Sequence, residues 1–464
     1  MVVGEFTQEA DLLVIGGGPG GYHAAFRAAE NGISTTLLEA EDSLGGVCLL
    51  RGCIPSKTYL AMAETLHLAE SAKAMGITFA KPKLDIDKVR QWKIDVVTKL
   101  GGGLDALCKR HKVERVRGRA VFENAKTVVL RDGDIARIKF RRAIIATGSR
   151  SIHLGELQID SPRVLTSRTA LDLTDVPETL LVIGGGYIGL ELGQVFAAFG
   201  SKVTVVEMLP NLLAGADADL ARPLIKRIGA QFEAICLETR VVSMKETKTG
   251  IAVGFEGKNV PKKKTFDKVL VSVGRYPNSR ELDLNKAGIE VDERGFIKVD
   301  DQFRTTSPKI SAIGDVIGDP MLAHKAIHEG RVVADILAGK DAVFEPRAIP
   351  AVVFTDPEIA WAGYTQEEAK AAKMDVVVKK IPWGASGRAV AIGRTEGLTK
   401  LIFDKETERL VGLGIVGPHA GEMIAGGVLA MEMGAVAHDI ASSIHPHPTL
   451  SEMISEAAGM MPGG

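Results

Sequence analysis

The sequence carries almost no net charge: 57 Lys and Arg against 58 Asp and Glu leave it at -1. That balance removes the electrostatic reason to expect nucleic acid or an anionic membrane as a partner. The one basic run, Lys262-Lys263-Lys264 after Val260-Pro261, reads as a solvated hairpin turn. Also missing is any uninterrupted apolar run of about 18 residues, the length a membrane-spanning helix needs. Residues 410–437 come closest, and His419, Glu422 and Glu432 break them. Residues 1–10 are acidic at Glu5 and Glu9 and run into a strand, unlike a secretory or transit leader. The expectation is a cytoplasmic protein.

Cysteine is scarce, with four residues at 48, 53, 108 and 236. A chain of this size in a reducing compartment does not rely on disulfides for stability, so a close pair points to redox or metal chemistry. Zinc needs two further ligands, and no Cys or His stands at the usual spacing, so no metal is expected. Cys108 and Cys236 read as lone core thiols.

Against these absences stands an excess of glycine, 51 residues, concentrated in triplets. Leu12-Leu13-Val14-Ile15-Gly16-Gly17-Gly18 recurs as Leu180-Leu181-Val182-Ile183-Gly184-Gly185-Gly186, 168 residues later. Each copy is an apolar strand running into Gly-x-Gly-x-x-Gly, completed by Gly21 and Gly189. A small-residue helix and a second strand follow, ending in Glu39 or Glu207, each 21 residues after the middle glycine. The first glycine permits a tight turn, and the middle one lets backbone approach a pyrophosphate. The third lets helix and strand pack, and the acid receives ribose hydroxyls. Glu207 repels a 2′-phosphate and no Arg follows in Met208-Leu209-Pro210-Asn211, so the second site is expected to take NAD.

The 464 residues suggest about three domains. Ala143-Ile144-Ile145-Ala146-Thr147-Gly148-Ser149 closes the first repeat and Val269-Leu270-Val271-Ser272-Val273-Gly274-Arg275 the second. Beyond residue 346 the pattern becomes mixed α+β without a nucleotide fingerprint. The boundaries expected are 1–150 and 279–345 for the first nucleotide domain, 151–278 for the second, and 346–464 for the third.

Just after Glu39 lies Gly45-Gly46-Val47-Cys48-Leu49-Leu50-Arg51-Gly52-Cys53-Ile54-Pro55-Ser56-Lys57. Pro55 and the unbroken stretch after it place Cys53 near a helix N-terminus, which with Lys57 favours a thiolate. Oxidising a dithiol also needs a base, and His445-Pro446-His447-Pro448-Thr449-Leu450-Ser451-Glu452 offers His447 with a carboxylate five residues on.

From Gly16 to Glu452 the chain resembles the pyridine nucleotide–disulfide oxidoreductases, whose redox motif runs G-G-x-C-x-x-x-x-G-C-x-P-S-K. Val47, Leu50 and Arg51 stand where Thr, Asn and Val are usual, and Pro446 where Ala is commoner. The resemblance implies two Rossmann-like FAD- and NAD(P)-binding domains and an α+β dimerisation domain. It also implies FAD and NAD as cofactors, and a homodimer in which His447, held by Glu452, completes the partner subunit's site. Asp315 in Ala312-Ile313-Gly314-Asp315-Val316 matches the acid on the flavin's ribityl chain. Ala323 lies in the segment beneath the flavin ring, Lys57 and Glu191 match the pair near flavin N5, and Tyr187 the residue covering the nicotinamide pocket. Ala120, Thr147, Gly148, Val241 and Gly274 complete the cofactor-binding set.

Within the family the Ile54-Pro55-Ser56-Lys57 ending resembles the branch that oxidises dihydrolipoyl groups with NAD+. The partners this implies are lipoyl-bearing proteins, either a 2-oxo acid dehydrogenase acyltransferase or a glycine-cleavage carrier. In that scheme a substrate thiolate attacks Cys48, Cys53 leaves, and electrons pass through FAD to NAD+. A glutathione-reductase-like enzyme is the alternative, though it would want Arg near Glu207. Enzymes with a C-terminal cysteine pair are disfavoured by Gly459-Met460-Met461-Pro462-Gly463-Gly464. A mainly structural role as the core subunit of a lipoyl-protein complex is the other reading.

Overall fold

Leu12, Leu13, Val14 and Ile15 are all buried, as a strand covered on both faces requires. The same holds for Leu180, Leu181, Val182 and Ile183. Both segments are central strands of parallel sheets in the computed structural model, which describes residues 7–133, 135–152, 154–157, 159–258 and 260–462. The leader reading at residues 1–6 and the chain end at Gly463-Gly464 lie outside the described residues.

The chain divides into two contact units. The first joins the residues through Thr58 to Asp85–Ile152 and Gly274–Glu345. Its parallel strands lie in the order Glu114–Arg117, Thr35–Glu39, Thr7–Ile15, Arg137–Ile145, Ile310–Ala312. Thr127–Arg131 and Arg119–Asn124 extend the sheet antiparallel from the start of Arg137–Ile145. Helices Pro19–Glu30 and Ala323–Leu337 pack closely, because a Cβ on Gly330 would stand 2.5 Å from the Gly20 carbonyl oxygen. Arg27 and Asp335 lock them with two parallel bonds of 2.8 and 2.9 Å.

The second unit joins Tyr59–Leu84, His153–Val273 and the residues from Pro346 on. Its parallel sheet repeats the order of the first four strands, Ala234–Cys236, Lys202–Val206, Thr179–Ile183 and Lys268–Val271, but its fifth, Val164–Thr166, precedes the others in the chain. An antiparallel meander, Arg240–Glu246, Ile251–Glu256 and Lys263–Phe266, follows. Lys262 and Lys263 are exposed there, while Lys264 lies over the Phe266 ring. The last part is an antiparallel sheet ordered Ala351–Val353, Glu358–Gly363, Leu410–Gly417, Leu398–Asp404, Val376–Pro382. Helices Ala420–Glu432 and Glu452–Ala458 bury their apolar faces with it around Trp383, Leu401, Phe403 and Ile415. Among the described residues no helix is long and apolar enough to cross a membrane.

A buried cation ties the antiparallel sheet to the nucleotide part of this unit. Lys400 is 1% exposed, and its Nζ bonds Asp217 and, at 2.6 Å, Asp219. Asp217 also accepts the Gln366 amide at 2.9 Å, and Lys380 reaches the other oxygen of Asp219 at 2.6 Å. Such a group stabilises only while its partners stay in place, since an unpaired buried charge is strongly destabilising. Lys400→Met is expected to lower unfolding stability by about 3–5 kcal/mol in a denaturant titration. Lys380→Met, at a part-exposed position, should lower it by about 1 kcal/mol or less.

Candidate active site

In the first glycine motif, two of the three glycines are forced by the protein itself. Gly16 sits at φ 108°, and a Cβ there would stand 2.4 Å from the Ala146 carbonyl oxygen. A Cβ on Gly21 would lie 1.8 Å from the Gly16 carbonyl oxygen. Gly18 differs, for its Cβ would meet no protein atom nearer than 3.9 Å. The space in front of it therefore lies outside the fold, at the N-terminus of helix Pro19–Glu30, where an anion is favoured. Glu39, at the end of its strand, is buried and accepts the Gly17 amide at 2.7 Å and the Glu41 amide at 2.9 Å.

The second motif repeats this geometry. Gly184, at φ 107°, is crowded by Ser272 and Gly189 by Gly184, while a Cβ on Gly186 would meet nothing within 4 Å. Glu207 accepts the Gly185 amide at 2.6 Å and the Leu209 amide at 2.8 Å. Both carboxylates keep lone pairs free for ribose hydroxyls. Two cradles with an open middle glycine, an amide-rich helix start and an anchored acid fit two dinucleotides, FAD and NAD. Tyr187, 40% exposed, opens helix Tyr187–Phe199 at the second cradle.

The cysteines lie at the junction of two helices, Gly46–Arg51 and Cys53–Ser71, so Cys53 occupies the first helical position. Cys53 is exposed and Cys48 half-buried, and their side chains share a hydrogen bond. That bond, with burial and the charge of Cys53, pushes the Cys48 thiol well above the usual range, while the Lys57 ammonium pulls it back. Cys108 is buried as expected, whereas Cys236 is half-buried because it ends an edge strand.

The other cofactor candidates fall in two groups. Within the first unit, Thr147 and Asn278 exchange bonds of 2.9 Å, and Gly148, at φ 70°, faces open space. Asp315 accepts the Ser149 hydroxyl, and Arg275 donates to Ser149 through Nε at 2.8 Å and Nη2 at 2.7 Å. The Gly314 amide is held at 2.7 Å by the buried Glu329, which Lys325 neutralises at the same distance. Sequence reading missed these supports, although Arg275 follows Gly274 directly. Gly274 belongs to this unit at φ 124°, and Ala323 begins helix Ala323–Leu337. Within the second unit, Glu191 is buried and accepts the Phe354 amide at 2.9 Å. The side chains of Ala120 and Val241 lie in the cores of their respective units, which leaves only their backbones for a cofactor.

His447 is 79% exposed, and its Nδ1 lies 2.9 Å from Oε2 of Glu452, which is only 14% exposed. Oε1 of Glu452 accepts the Thr449 amide at 3.3 Å. A carboxylate fixed from within the fold orients the ring by accepting a hydrogen bond from Nδ1–H, which leaves Nε2 as the outward nitrogen with the free lone pair.

The model of the pyridine nucleotide-disulphide oxidoreductases matches residues 10–330, and that of their dimerisation domain residues 349–458. The dihydrolipoyl dehydrogenase of Vibrio cholerae is 47% identical over 458 residues, covering 98% of this chain and 96% of that protein. That of Geobacillus stearothermophilus is 46% identical over 459 residues, covering 99% and 97%. Among solved structures, the HOCl-induced flavoprotein disulfide reductase RclA of Escherichia coli superposes with a TM-score of 0.87 at 28% identity, covering 97% and 100%. LpdA of Mycobacterium tuberculosis gives 0.89 at 26%, covering 97% and 99%. The chain belongs to the pyridine nucleotide-disulphide oxidoreductase family.

Proposed function

We propose that the chain oxidises protein-bound dihydrolipoyl groups to lipoyl disulfide and reduces NAD+ to NADH, through the Cys48–Cys53 pair and FAD. The observation that carries this reading is the hydrogen-bonded pair at the start of helix Cys53–Ser71, in the unit that holds the first dinucleotide cradle. The names of its relatives agree. The first cradle, with Gly16, Gly18, Gly21 and Glu39, takes FAD, and the second, with Gly184, Gly186, Gly189 and Glu207, takes NAD. Bound FAD supplies the change from two-electron thiol chemistry to hydride transfer.

The chain's own residues divide the rest of the work. Glu452 holds His447 so that Nε2 removes a proton from a substrate thiol, which a free thiol near its ordinary pKa surrenders too rarely. The substrate thiolate attacks Cys48, and the Cys48–Cys53 bond breaks as Cys53 leaves as thiolate. The helix N-terminus and Lys57 stabilise that negative charge. The second substrate thiolate then attacks the mixed disulfide, releasing lipoyl disulfide and returning Cys48 as a thiol. Asp315, Thr147, Gly148, Ala323 and the backbone of Ala120 position the flavin. Lys57 serves its reactive edge, and in the second unit Glu191, Tyr187 and the backbone of Val241 bind cofactor, as Gly274 does in the first. His447 acts at Cys48 across a homodimer built on residues 346–464. The protein partner is a lipoyl-bearing acyltransferase or glycine-cleavage carrier, and the place of work is the cytoplasm.

A steady-state comparison should give turnover with dihydrolipoamide and NAD+, and none with NADPH and glutathione disulfide. Activity confined to the second pair would overturn the assignment. His447→Gln should lower kcat with dihydrolipoamide by roughly 100-fold or more, the usual range for a lost general base. NADH oxidation by a quinone, which draws no thiol proton, should stay near the parent rate; equal losses in both assays would remove His447 from the base role.

A further inference from the structure

Arg51 stands between the two cysteines, and no step of the thiol chemistry uses it. Its side chain is 20% exposed, and Nη2 lies 2.7 Å from Oε1 of Glu41, itself 34% exposed. Glu41 follows the ribose acid by two residues and donates its backbone amide to Glu39 Oε1 at 2.9 Å. Glu39 Oε2 in turn holds the Gly17 amide of the phosphate turn at 2.7 Å. Bonded groups thus run without a break from the phosphate turn, through the ribose acid, to the C-terminal end of the helix that carries Cys48. The other end of that helix is tied to the same turn. The Gly45 amide donates to the Gly17 carbonyl at 2.8 Å, and a Cβ on Gly46 would stand 2.7 Å from Gly18 Cα.

Helix Gly46–Arg51 has only six residues, far too few to persist without tertiary anchors. Its two anchors both lie on the first cradle, one at the phosphate turn and one beside the ribose acid. Arg51 in the last turn also suits the helix dipole, so the ion pair fixes the end where the chain turns through Gly52 toward Cys53.

We infer that Arg51 and Glu41 form a positioning clamp that couples FAD binding to the order of the cysteine-bearing segment. This rests on the assignment of FAD to the first cradle. Because coupling between two sites is reciprocal, FAD steadies the segment, and the clamped segment slows the loss of FAD.

The test follows the rise of free-flavin fluorescence after dilution of the purified holoenzyme. At low salt, Arg51→Met and Glu41→Gln should each release FAD about fivefold faster than the parent, the scale of one part-exposed ion pair. The double variant should be no faster than the quicker single, since both act through one bond. Arg51→Lys should fall between parent and Arg51→Met. The exchanged pair, Glu41→Arg with Arg51→Glu, should return to within about twofold of the parent, and raised salt should narrow every difference. NAD+ affinity should stay unchanged in all variants, which separates a local effect from general unfolding. Parent-like release from both single variants, or losses that add in the double variant, would overturn the clamp alone. A parent that retains no FAD would overturn the cradle assignment with it.

Discussion

A carboxylate at the end of a strand, facing the amide of a glycine turn, is the interaction on which both nucleotide halves are built. Glu39 meets Gly17 and Glu207 meets Gly185, and in each case the second oxygen takes an amide two residues further along. A carboxylate drawn partly or wholly out of water without donors is expensive, so these amides fix where the turn and the strand end must sit. The strand order of each parallel sheet then delivers the turn to the carboxyl edge, where ligands bind in open α/β sheets. In the first unit the same network continues into the cysteine segment, and redox and nucleotide chemistry share one scaffold.

Much of this is legible in the amino-acid sequence alone. The recurrence of an apolar strand, three glycines and an acid at equal offsets is a local pattern, and local patterns survive in a sequence. Gly16, Gly21, Gly184 and Gly189 are glycine because a neighbouring main-chain atom stands where their Cβ would be. The start of a helix at Cys53 followed from Pro55, and the His447–Glu452 bond from two residues five apart in a loop fixed by prolines.

The supports behind those residues were not legible, since each joins groups that nothing in the linear order marks as neighbours. Glu329 holds the Gly314 amide from a helix that begins nine residues later, and Lys325 beside it reads as an ordinary surface lysine. Lys400 occupies an alternate position in a strand yet ends up fully buried, because Asp217 and Asp219 arrive from the other side. Arg51 stood out only as a departure from a pattern, and its partner was hidden because Glu41 resembles any solvated acid. Ala120 and Val241 show the converse: a position tied to a ligand by resemblance has its side chain in the core.

The open space in front of Gly18 and Gly186 also has an evolutionary meaning. Folding constrains the outer glycines of each motif, whereas nothing in the polypeptide constrains the middle one. Selection for a stable fold and selection for a bound dinucleotide therefore act on different letters of the same short word. A descendant that abandoned electron transfer would keep Gly16, Gly21, Gly184 and Gly189 to stay folded, and drift first at Gly18 and Gly186. The middle glycine is thus the position by which a lineage of still-folded, cofactor-free descendants would be recognised.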